Sequence, residues 1–517
     1  RIRRFPTQCS PGRCERLVGG LRLASYRWLG SWFSGTLPLS WRCAVKKGRE
    51  SARSLEIEFE DGLREEVTAH AGVALLVETA RRSGVIAAAD RTLPAKKNPK
   101  GLTQGQMVES LALLSALGGE CPDDLQKLRE DQGLEVLVGY ELPAPSTARG
   151  WLDLCHDEEA LAERPKQGSF IPRESTRLAA LREPVRQSVR AYVTVAKPPR
   201  QVTPRCARGK LLDVDAHLVE SSKREALPTY EGFRGYQPLL VTWAETGLIL
   251  ADQFRDGNVP AGMGIKELVD EAYDALPKHP EEWVVRVRSD SAAYDQRVLD
   301  HWHSRGWQFA VSADMSPQLR QAIGEVPLEE WHDWQTERDE TVREWAEVAY
   351  VPSRNVEKRD LEPSRYLAIR LRSPQGVLFS DGTDVKLFAV VTNDWQMGGQ
   401  ELLEWQRGKA GTVEQSHRVV KDELAAGVYP SGKFGANAAW LRLQVLTANL
   451  LVLLKAAALD EEYRQARPKR LRFAIFNHVG KVVHHARRTL MRVCKRVLER
   501  VIRPGLARLQ AVSWSTG

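Results

Sequence analysis

The sequence predicts a mixed α/β protein in which an N-terminal α-helical domain precedes a strand-rich core and further helices follow it. Three observations predict this class. Apolar residues recur at helical spacing up to about residue 155, strands joined by short turns begin near residue 210, and long helical patterns occupy 399–425, 434–458 and 476–500. With 517 residues, 42% of them hydrophobic and 27% charged, the chain can bury several cores, which excludes a disordered or fibrous protein.

The formal net charge of +8 is unevenly distributed along the chain. Residues 1–50 have a net charge of +9 and residues 463–517 a net charge of +13, so the segment between them is acidic, at −14. A basic segment favours a polyanionic partner, because Lys and Arg neutralise phosphates. Residues 1–50 have no helical or strand periodicity, and they are expected to be either a basic DNA-binding arm or an upstream extension that does not fold.

Cysteine spacing and hydropathy indicate the cellular compartment in which the protein is expected. The seven cysteines stand at irregular spacings without a C-x-x-C motif, which argues against a disulfide framework or a zinc ribbon and favours a reducing cytoplasm. The longest apolar stretch, 436–459, is interrupted by polar and charged residues, and it predicts a buried helix. We therefore expect a cytoplasmic protein without a membrane partner.

The part of the chain before residue 158 is predicted to be helical. Residues 51–157 contain short helical stretches joined by tight turns, a pattern shared by helix-turn-helix modules and by other small helical domains. This segment is expected to be a helical domain, and DNA binding is one of its two interpretations. Residues 158–209 are rich in Arg, Pro, Glu and Lys, which predicts a helix and a linker.

Strand patterns begin at residue 210. Strands are predicted at 211–219, 236–243 and 248–254, with a hairpin turn at 245–247, and alternating helices and strands follow, which predicts a mixed sheet. The predicted segments are a first part of the core at 210–314, a β-rich insertion at 315–385, a second part of the core at 386–460 and a basic C-terminal helical region at 461–517.

Acidic residues stand at informative places in these elements. Asp213 and Asp215, two apart in one strand, are expected to point to the same face. Asp290 ends another strand, at the edge where α/β sheets usually keep their sites. Glu414 lies on a predicted helix. Three carboxylates from two strands and a helix are donors that two Mg²⁺ ions accept, but ordinary solvated acids remain the alternative, since 67 Asp and Glu offer many such triples.

Two cations follow Glu414 on its helix. Arg418 and Lys421 stand at i+4 and i+7, so the three side chains are predicted to share one face. On that face the cations either contact DNA phosphate near the reacting bond or pair only with the glutamate.

Five composite motifs carry a resemblance to a known family. In chain order, they resemble bacterial insertion-sequence transposases that have an Asp-Asp-Glu (DDE) triad on an RNase H-like core, and most closely the insertion-sequence group numbered thirteen-eighty. The resemblance runs from about residue 50 to about residue 490. The motifs are LLDVDAHLVESSKREALPTYEGFRGYQPLLV, VRVRSDSAAYD, FAVVTNDW, RGKAGTVEQSHRVVKDEL and SGKFGANAAWLRLQVLTANLL.

The resemblance implies a triad of Asp215, Asp290 and Glu414, which would be catalytic and would bind the metal. Asp215 is the second acid of Asp-x-Asp, Asp290 lies in Arg-x-Asp-Ser-Ala, and Glu414 lies in Gly-Thr-Val-Glu. The 124 residues between Asp290 and Glu414 match the β-strand insertion that some of these enzymes carry. The implied cofactor is a pair of Mg²⁺ ions, with Mn²⁺ as a substitute.

Other residues receive secondary roles. The positions that hold Tyr and Arg in related transposases carry Arg407 and Ala410 here, so Lys409 is the candidate for the missing cation and is counted with the DNA-binding residues. Asp213 and Tyr236 are possible supporting residues of the site.

The C-terminal helix predicted at 478–500 contains seven Lys and Arg but only one acid. Arg487, Arg488 and Arg492 are therefore expected to contact DNA phosphates, with a solvated helix face as the alternative.

The resemblance implies a transposase that binds the terminal inverted repeats of its own element. It would hydrolyse a phosphodiester there and join the freed 3′-hydroxyl to target DNA. A homodimer on double-stranded DNA is expected, because two transposon ends must meet, and the location would be the bacterial nucleoid. Two alternatives remain: an RNase H-like metal-dependent nuclease without strand transfer, and a decayed, non-catalytic DNA-binding derivative.

Overall fold

The structure is a computed structural model, and the residues that it describes belong to one compact unit, Arg64–Gly517. The extension predicted at 1–50 lies outside the described residues. The described ranges are 66–96, 100–196, 209–278, 283–334, 342–352, 363–373, 378–379 and 382–514.

Short helices form the N-terminal part, as the sequence predicts. Local signals fix their ends: the Thr103 hydroxyl accepts a hydrogen bond from the Gln106 amide, and the Gln106 side chain accepts one from the Thr103 amide. Gly118 ends the same helix with a φ of 100°, a conformation that favours glycine. The elements are strand β1 (Val67–Thr68) and helices α1 (Ala74–Arg82), α2 (Val85–Thr92), α3 (Gln104–Leu117), α4 (Leu125–Arg129), α5 (Gln132–Val138), α6 (Pro145–Asp153), α7 (Glu158–Ala162), α8 (Thr176–Ala180) and α9 (Arg182–Val195).

Strands occupy most of the middle of the chain. Within the described residues, nine of them form one mixed sheet. The strands are β2 (Gly209–Ala216), β3 (Val219–Glu220), β4 (Leu227–Pro228), β5 (Arg234–Tyr236), β6 (Leu239–Trp243), β7 (Leu248–Gln253), β8 (Val284–Ser289), β9 (Gln308–Ser312), β10 (His332–Asp333), β11 (Val342–Val348), β12 (Arg365–Arg372), β13 (Val385–Thr392), β14 (Gly480–His485) and β15 (Arg488–Val493).

Helices cover this sheet and complete the chain. They are α10 (Ile265–Ala275), α11 (Gln296–Ser304), α12 (Pro317–Gly324), α13 (Gly399–Arg407), α14 (Val413–Arg418), α15 (Phe434–Ala457), α16 (Pro468–Leu471), α17 (Lys495–Val497) and α18 (Arg503–Ala511).

The large sheet has the order β10-β11-β12-β13-β9-β8-β2-β6-β7. Strand β2 lies between β6, to which it is antiparallel, and β8, to which it is parallel, and β8 and β9 are also parallel. The predicted turn at 245–247 joins β6 to β7. The mixed α/β class is therefore confirmed, and the carboxyl ends of β2 and β8 meet at one edge of the sheet.

The segment at 315–385, predicted as a β-rich insertion, contributes strands to the main sheet. Strands β11 and β12 pair with β13 and so extend the main sheet. Helix α13 covers this extension, with Leu402 and Leu403 packed against Leu367 and Trp334 of the sheet side. The apolar strand faces are buried under a helix from the next segment, which explains why they continue the sheet.

The boundary predicted at residue 157 does not divide the hydrophobic core. Helix α15 packs against α1, α3, α6 and α9, and a single core cluster extends from Val73 through Leu111 to Leu446. The segment predicted as a helix and linker at 158–209 contains α7, α8 and α9, and residues 197–208 lie outside the described ranges. The N-terminal helices and the sheet-bearing part therefore share one interior.

Helix α15 is the central helix of this interior. By length and composition it could cross a membrane, but 94% of its most apolar window is buried inside the protein. Buried polar contacts match this position: Asn449 bonds both the amide and the carbonyl of Ile249, and Arg442 pairs with Asp252 and Glu174. The prediction of a buried helix is confirmed.

The prediction of a C-terminal helix at 478–500 is wrong. Residues 480–493 form a β-hairpin of β14 and β15, which β1 extends to three strands. In the described residues that follow, up to 514, the chain forms the short helix α17, a π-helical turn at Leu498–Ile502 and α18.

Candidate active site

Strand β2 carries two acids on one face, as predicted. Leu212 and Val214 point into the apolar core between the sheet and helices α9, α10 and α11. Asp213 and Asp215 point to the opposite face, where helices α13 and α14 lie. The alternation of the strand thus separates the carboxylates from the core.

Asp215 stands near the carboxyl end of β2, and its side chain is 15% exposed. Burial raises its pKa to about 6, and the nearby charges of Asp290 and Glu414 add to this effect while Lys409 opposes it. Asp290 and Glu414 are therefore close enough to Asp215 to raise its pKa.

Asp290 follows β8 directly, beside the end of β2. Its carboxylate accepts a hydrogen bond from the Ala292 amide at 3.1 Å, which caps a 3₁₀ turn at Ser291–Ala293. This cap fixes the side chain at the strand end, where the parallel pairing of β2 and β8 brings it toward Asp215.

Glu414 is the second residue of α14, and its side chain is 50% exposed. The helix predicted over 399–425 is interrupted before it: α13 ends at Arg407, a 3₁₀ turn occupies Gly408–Gly411, and α14 begins at Val413. The two glycines of this turn account for the break, because glycine weakens a continuous helix. The break redirects the chain so that Glu414 reaches the sheet edge.

Lys409, in the 3₁₀ turn, lies between two of the acids. Its Nζ is 3.5 Å from Asp215 Oδ1 and 3.5 Å from Glu414 Oε1, and its side chain is 12% exposed. Burial alone lowers its pKa, but Asp215, Asp290 and Glu414 raise it, so the ammonium stays charged. The sequence predicted Lys409 as a DNA-binding residue, and the structure places its ammonium between two acids of the predicted triad.

The donor set suits a hard divalent cation, since carboxylate oxygens are the ligands that Mg²⁺ prefers. Among the described residues, however, no three His, Cys, Asp or Glu side chains are grouped so that they could hold a metal ion as they stand. The ammonium of Lys409 supplies the positive charge between Asp215 and Glu414. The three carboxylates are therefore suitable ligands for a divalent cation. For such a cation to bind, the Lys409 ammonium would have to move out of the space between Asp215 and Glu414.

Asp213, a possible supporting residue, is fully buried. Arg288 of the neighbouring strand binds both of its oxygens, at 2.7 and 2.8 Å, and the Thr412 hydroxyl donates a further hydrogen bond to it. Arg288 also donates to the Trp405 carbonyl at the end of α13. Asp213 thus ties β2 to β8 and to the turn that carries Glu414, and it supports the site without lying in it.

His417 of α14 is buried against strand β2. Its Nε2 is 3.0 Å from the Asp215 carbonyl oxygen, and its ring lies 5.5 Å from that of His217. Burial lowers the pKa of His417 to about 3 and that of His217 to about 4. Both rings are neutral at physiological pH, so His417 donates to the backbone of Asp215 and fixes α14 on β2.

The remaining predicted site residues are scattered. Tyr236 is buried against Phe254 and Tyr429, so it belongs to the core rather than to the site. Arg418 is exposed on α14. A π-helical turn at Val419–Glu423 follows it and rotates Lys421 out of the predicted i+7 position, to the side of His217.

The three C-terminal arginines do not lie on a helix. Arg488 and Arg492 are exposed on β15, and Arg487 is exposed in the turn before it. Their placement on a hairpin replaces the basic helix that the sequence predicted.

Comparison with known proteins identifies the family. A family model described as transposase DDE domain group 1 matches residues 48–514. The chain belongs to the DDE transposase family. The resemblance to DDE transposases is thus confirmed, over a longer range than the motifs alone cover, and the chain is a transposase in that general sense.

Among solved structures, this transposase is similar to the piggyBac transposase in a cryo-EM synaptic complex with hairpin DNA. The TM-score is 0.40 and the sequence identity 10%, over 77% of this chain and 78% of that chain. No curated protein matches the sequence.

Proposed function

We propose that this transposase binds the terminal inverted repeats of its own insertion sequence, hydrolyses a phosphodiester at each end and joins the freed 3′-hydroxyl to target DNA. The observation that carries the proposal is the meeting of Asp215, Asp290 and Glu414 at one edge of the sheet, around Lys409. These are the acids that the family resemblance selects, and they come from three separate segments of the chain.

Asp215, Asp290 and Glu414 would hold two Mg²⁺ ions, or Mn²⁺ in their place. When bound, such a pair activates an attacking hydroxyl and stabilises the leaving oxygen of a phosphodiester. The half-exposed Glu414 faces solvent, so DNA can reach it.

The other residues of the site would position these acids. His417 holds the backbone of Asp215 through a hydrogen bond to its carbonyl oxygen. The buried pair of Asp213 and Arg288 keeps β2 and β8 in register. Arg418, exposed one turn after Glu414, would contact a phosphate beside the reacting bond.

We also propose an RNase H-like core and membership of the group numbered thirteen-eighty. The strand run β7-β6-β2-β8-β9 supports the first, with antiparallel strands on one side of β2 and parallel strands on the other. The five composite motifs support the second. A homodimer on double-stranded DNA follows from the need to hold two transposon ends together.

The test is a strand-transfer assay with a labelled duplex from the DNA that flanks the gene. We expect wild-type protein and Mg²⁺ to nick the repeat end and then to give a joined product with a target plasmid. Asp290→Asn should lose both products while it binds the repeat end within a few-fold of wild type. The matched control is Asp295→Asn, since the partly exposed Asp295 side chain caps α11 and asparagine preserves the cap. Cleavage without joining would favour the nuclease, and binding with no cleavage by wild type would favour the decayed derivative.

A further inference from the structure

The C-terminal hairpin separates its side chains onto two faces. Val482 of β14 lies opposite Met491 of β15, and Val482 is buried. His484, on the same side, contacts Glu66 at 3.2 Å. This face packs toward the N-terminal helices, where Gly480 approaches Ala71.

The opposite face is basic. Cross-strand pairing places Lys481 opposite Arg492, Val483 opposite Leu490 and His485 opposite Arg488. We call these six side chains the basic face: Lys481, Arg488 and Arg492 supply its charge, and Val483 and Leu490 form a small apolar patch between them. Arg488 and Arg492 are exposed, and neither has an ion-pair partner among the described residues.

The exposed arginines of the hairpin have no internal compensation. Arg488 and Arg492 lie on one face of β15 without an ion-pair partner among the described residues, and Arg487 is exposed at the tip beside them. A single charge would suffice to protect the exposed edge of β15 from pairing with other strands. The additional arginines are explained by a partner that neutralises them, and a polyanion is such a partner.

The turn of the hairpin gives independent support. Ala486 and Arg487 both have positive φ, at 47° and 66°, the combination of a type I′ turn. Asn-Gly is the preferred sequence for this turn, because those residues adopt positive φ at the lowest cost. Arg487 therefore occupies a strained position at the exposed tip, beside the basic face, which is consistent with a role for its side chain.

We propose that the basic face of the hairpin and Arg487 form a DNA-binding ribbon that enters the major groove of a duplex. The major groove is about 12 Å wide and accepts a two-stranded antiparallel ribbon. Arg488 and Arg492 both lie on β15, each two residues from Leu490, and would contact phosphates along the groove wall. The proposal rests on the proposed function for its partner, DNA, and assigns the binding mode that the helix prediction had missed.

The experiment measures the dissociation constant of the full-length protein for a 30-base-pair duplex at several salt concentrations, in EDTA. Each phosphate contact contributes a slope of about 0.9 to the dependence of log K on log salt. Arg488→Gln/Arg492→Gln should therefore lower the slope by about 2. The matched control is Lys495→Gln/Arg496→Gln, which removes the same charge from α17, just outside the hairpin, and should change the slope by less than about half as much.

A second variant keeps the proposal testable if charge removal perturbs folding. Ala486→Asn/Arg487→Gly gives the turn its preferred sequence, so the thermal midpoint should equal or exceed that of wild type, while the salt slope falls by about 1. Methylation of guanine N7 in the probe should weaken binding by wild type and have less effect on this variant, since N7 lies in the major groove.

The proposal is overturned if the hairpin variants keep the wild-type slope, or if the α17 control loses as much. Because the assay contains no metal, its outcome is separate from that of the proposed function. If DNA binding depends on the hairpin but the wild-type protein does not cleave, the proposed function is refuted and the DNA-binding ribbon is retained. If the wild-type protein carries out strand transfer but the hairpin variants keep the wild-type salt slope, the ribbon is refuted and the proposed function is retained.

Discussion

The acidic edge of the large sheet and the C-terminal hairpin differ in whether the protein itself supplies partners for their charged side chains. At the sheet edge, the acids have cations supplied by the protein: Lys409 lies between Asp215 and Glu414, and Arg288 binds Asp213. On the hairpin, Arg488 and Arg492 have no acid partner among the described residues. The difference indicates that the protein's own cations partly neutralise the acids of the sheet edge, whereas Arg488 and Arg492 are available to an external anion.

The sheet edge itself contains two kinds of acid. Asp213 is fully buried and bonded on both oxygens, while Asp215 and Glu414 share a single lysine at 3.5 Å. The buried pair of Asp213 and Arg288 maintains the structure. Asp215 and Glu414, which share the Lys409 ammonium, can exchange it for another cation. The predictions below test this division.

The largest effect on stability is expected at Asp213. Asp213→Ala leaves Arg288 charged and buried without its carboxylate partner, which should cost about 3–5 kcal/mol in the free energy of unfolding. The surface pair of Asp460 and Arg508 provides the control, and Asp460→Ala should cost about 0–1 kcal/mol. Urea denaturation of the two variants gives both values, and equal costs would show that Asp213 has no special structural role.

Glu414→Gln should leave the fold intact and abolish most of the chemistry. Losing one charge-stabilising group of the site should reduce single-turnover cleavage by about 10²–10³-fold. Glu404→Gln, on the exposed side of α13, is the control and should cut at nearly the wild-type rate. A Glu414→Gln protein as active as its control would remove Glu414 from the triad.

The pH dependence follows from Asp215. Its pKa is raised from its ordinary value of 3.8 to about 6, mainly by burial, so in the metal-free protein the carboxyl is neutral below about pH 6 and charged above it. A cation binds the charged form. Affinity for Mg²⁺ should therefore fall as the pH decreases through 6, by about tenfold per unit below it. Calorimetric titration between pH 5 and 8 measures this, and affinity that is constant over the range contradicts it.

The smallest effect is expected at Lys409, whose ammonium any bound cation must displace. Lys409→Met should bind Mg²⁺ several-fold more tightly, because the acids lose their internal partner and gain more from an external one. The same variant should be less stable in EDTA and show a larger rise in melting temperature on addition of Mg²⁺. Lys433→Met, which removes a surface lysine paired with Asp153, is the control and should show neither change.

Much of the sheet edge could be predicted from the sequence. The alternation of the first core strand placed Asp213 and Asp215 on one face, and Asp290 at a strand end, as the structure has them. The burial of Asp213 could not be predicted, because it depends on the register that sets Arg288 opposite Asp213 and on Thr412 from a distant turn.

The hairpin was missed for a physical reason. Its turn, Ala486-Arg487, has neither Gly nor Asn, so the sequence contains no turn signal. Its basic residues also occur at spacings that suit a helix. The strand alternation of Val482, His484 and their partners is set by pairing with β1 and by contacts with the N-terminal helices, which are remote in the sequence.

Metal rescue at Asp290 tests the central claim most directly. In Asp290→Cys, a thiolate replaces the carboxylate, and sulfur ligands accept Mn²⁺ better than Mg²⁺. The account predicts that single-turnover cleavage of a repeat end is lost in Mg²⁺ and is at least partly restored in Mn²⁺, while Asp295→Cys behaves as wild type with both ions. Wild-type cleavage by Asp290→Cys in Mg²⁺ would contradict it, and so would the same unrescued loss with both ions in a folded, DNA-binding protein.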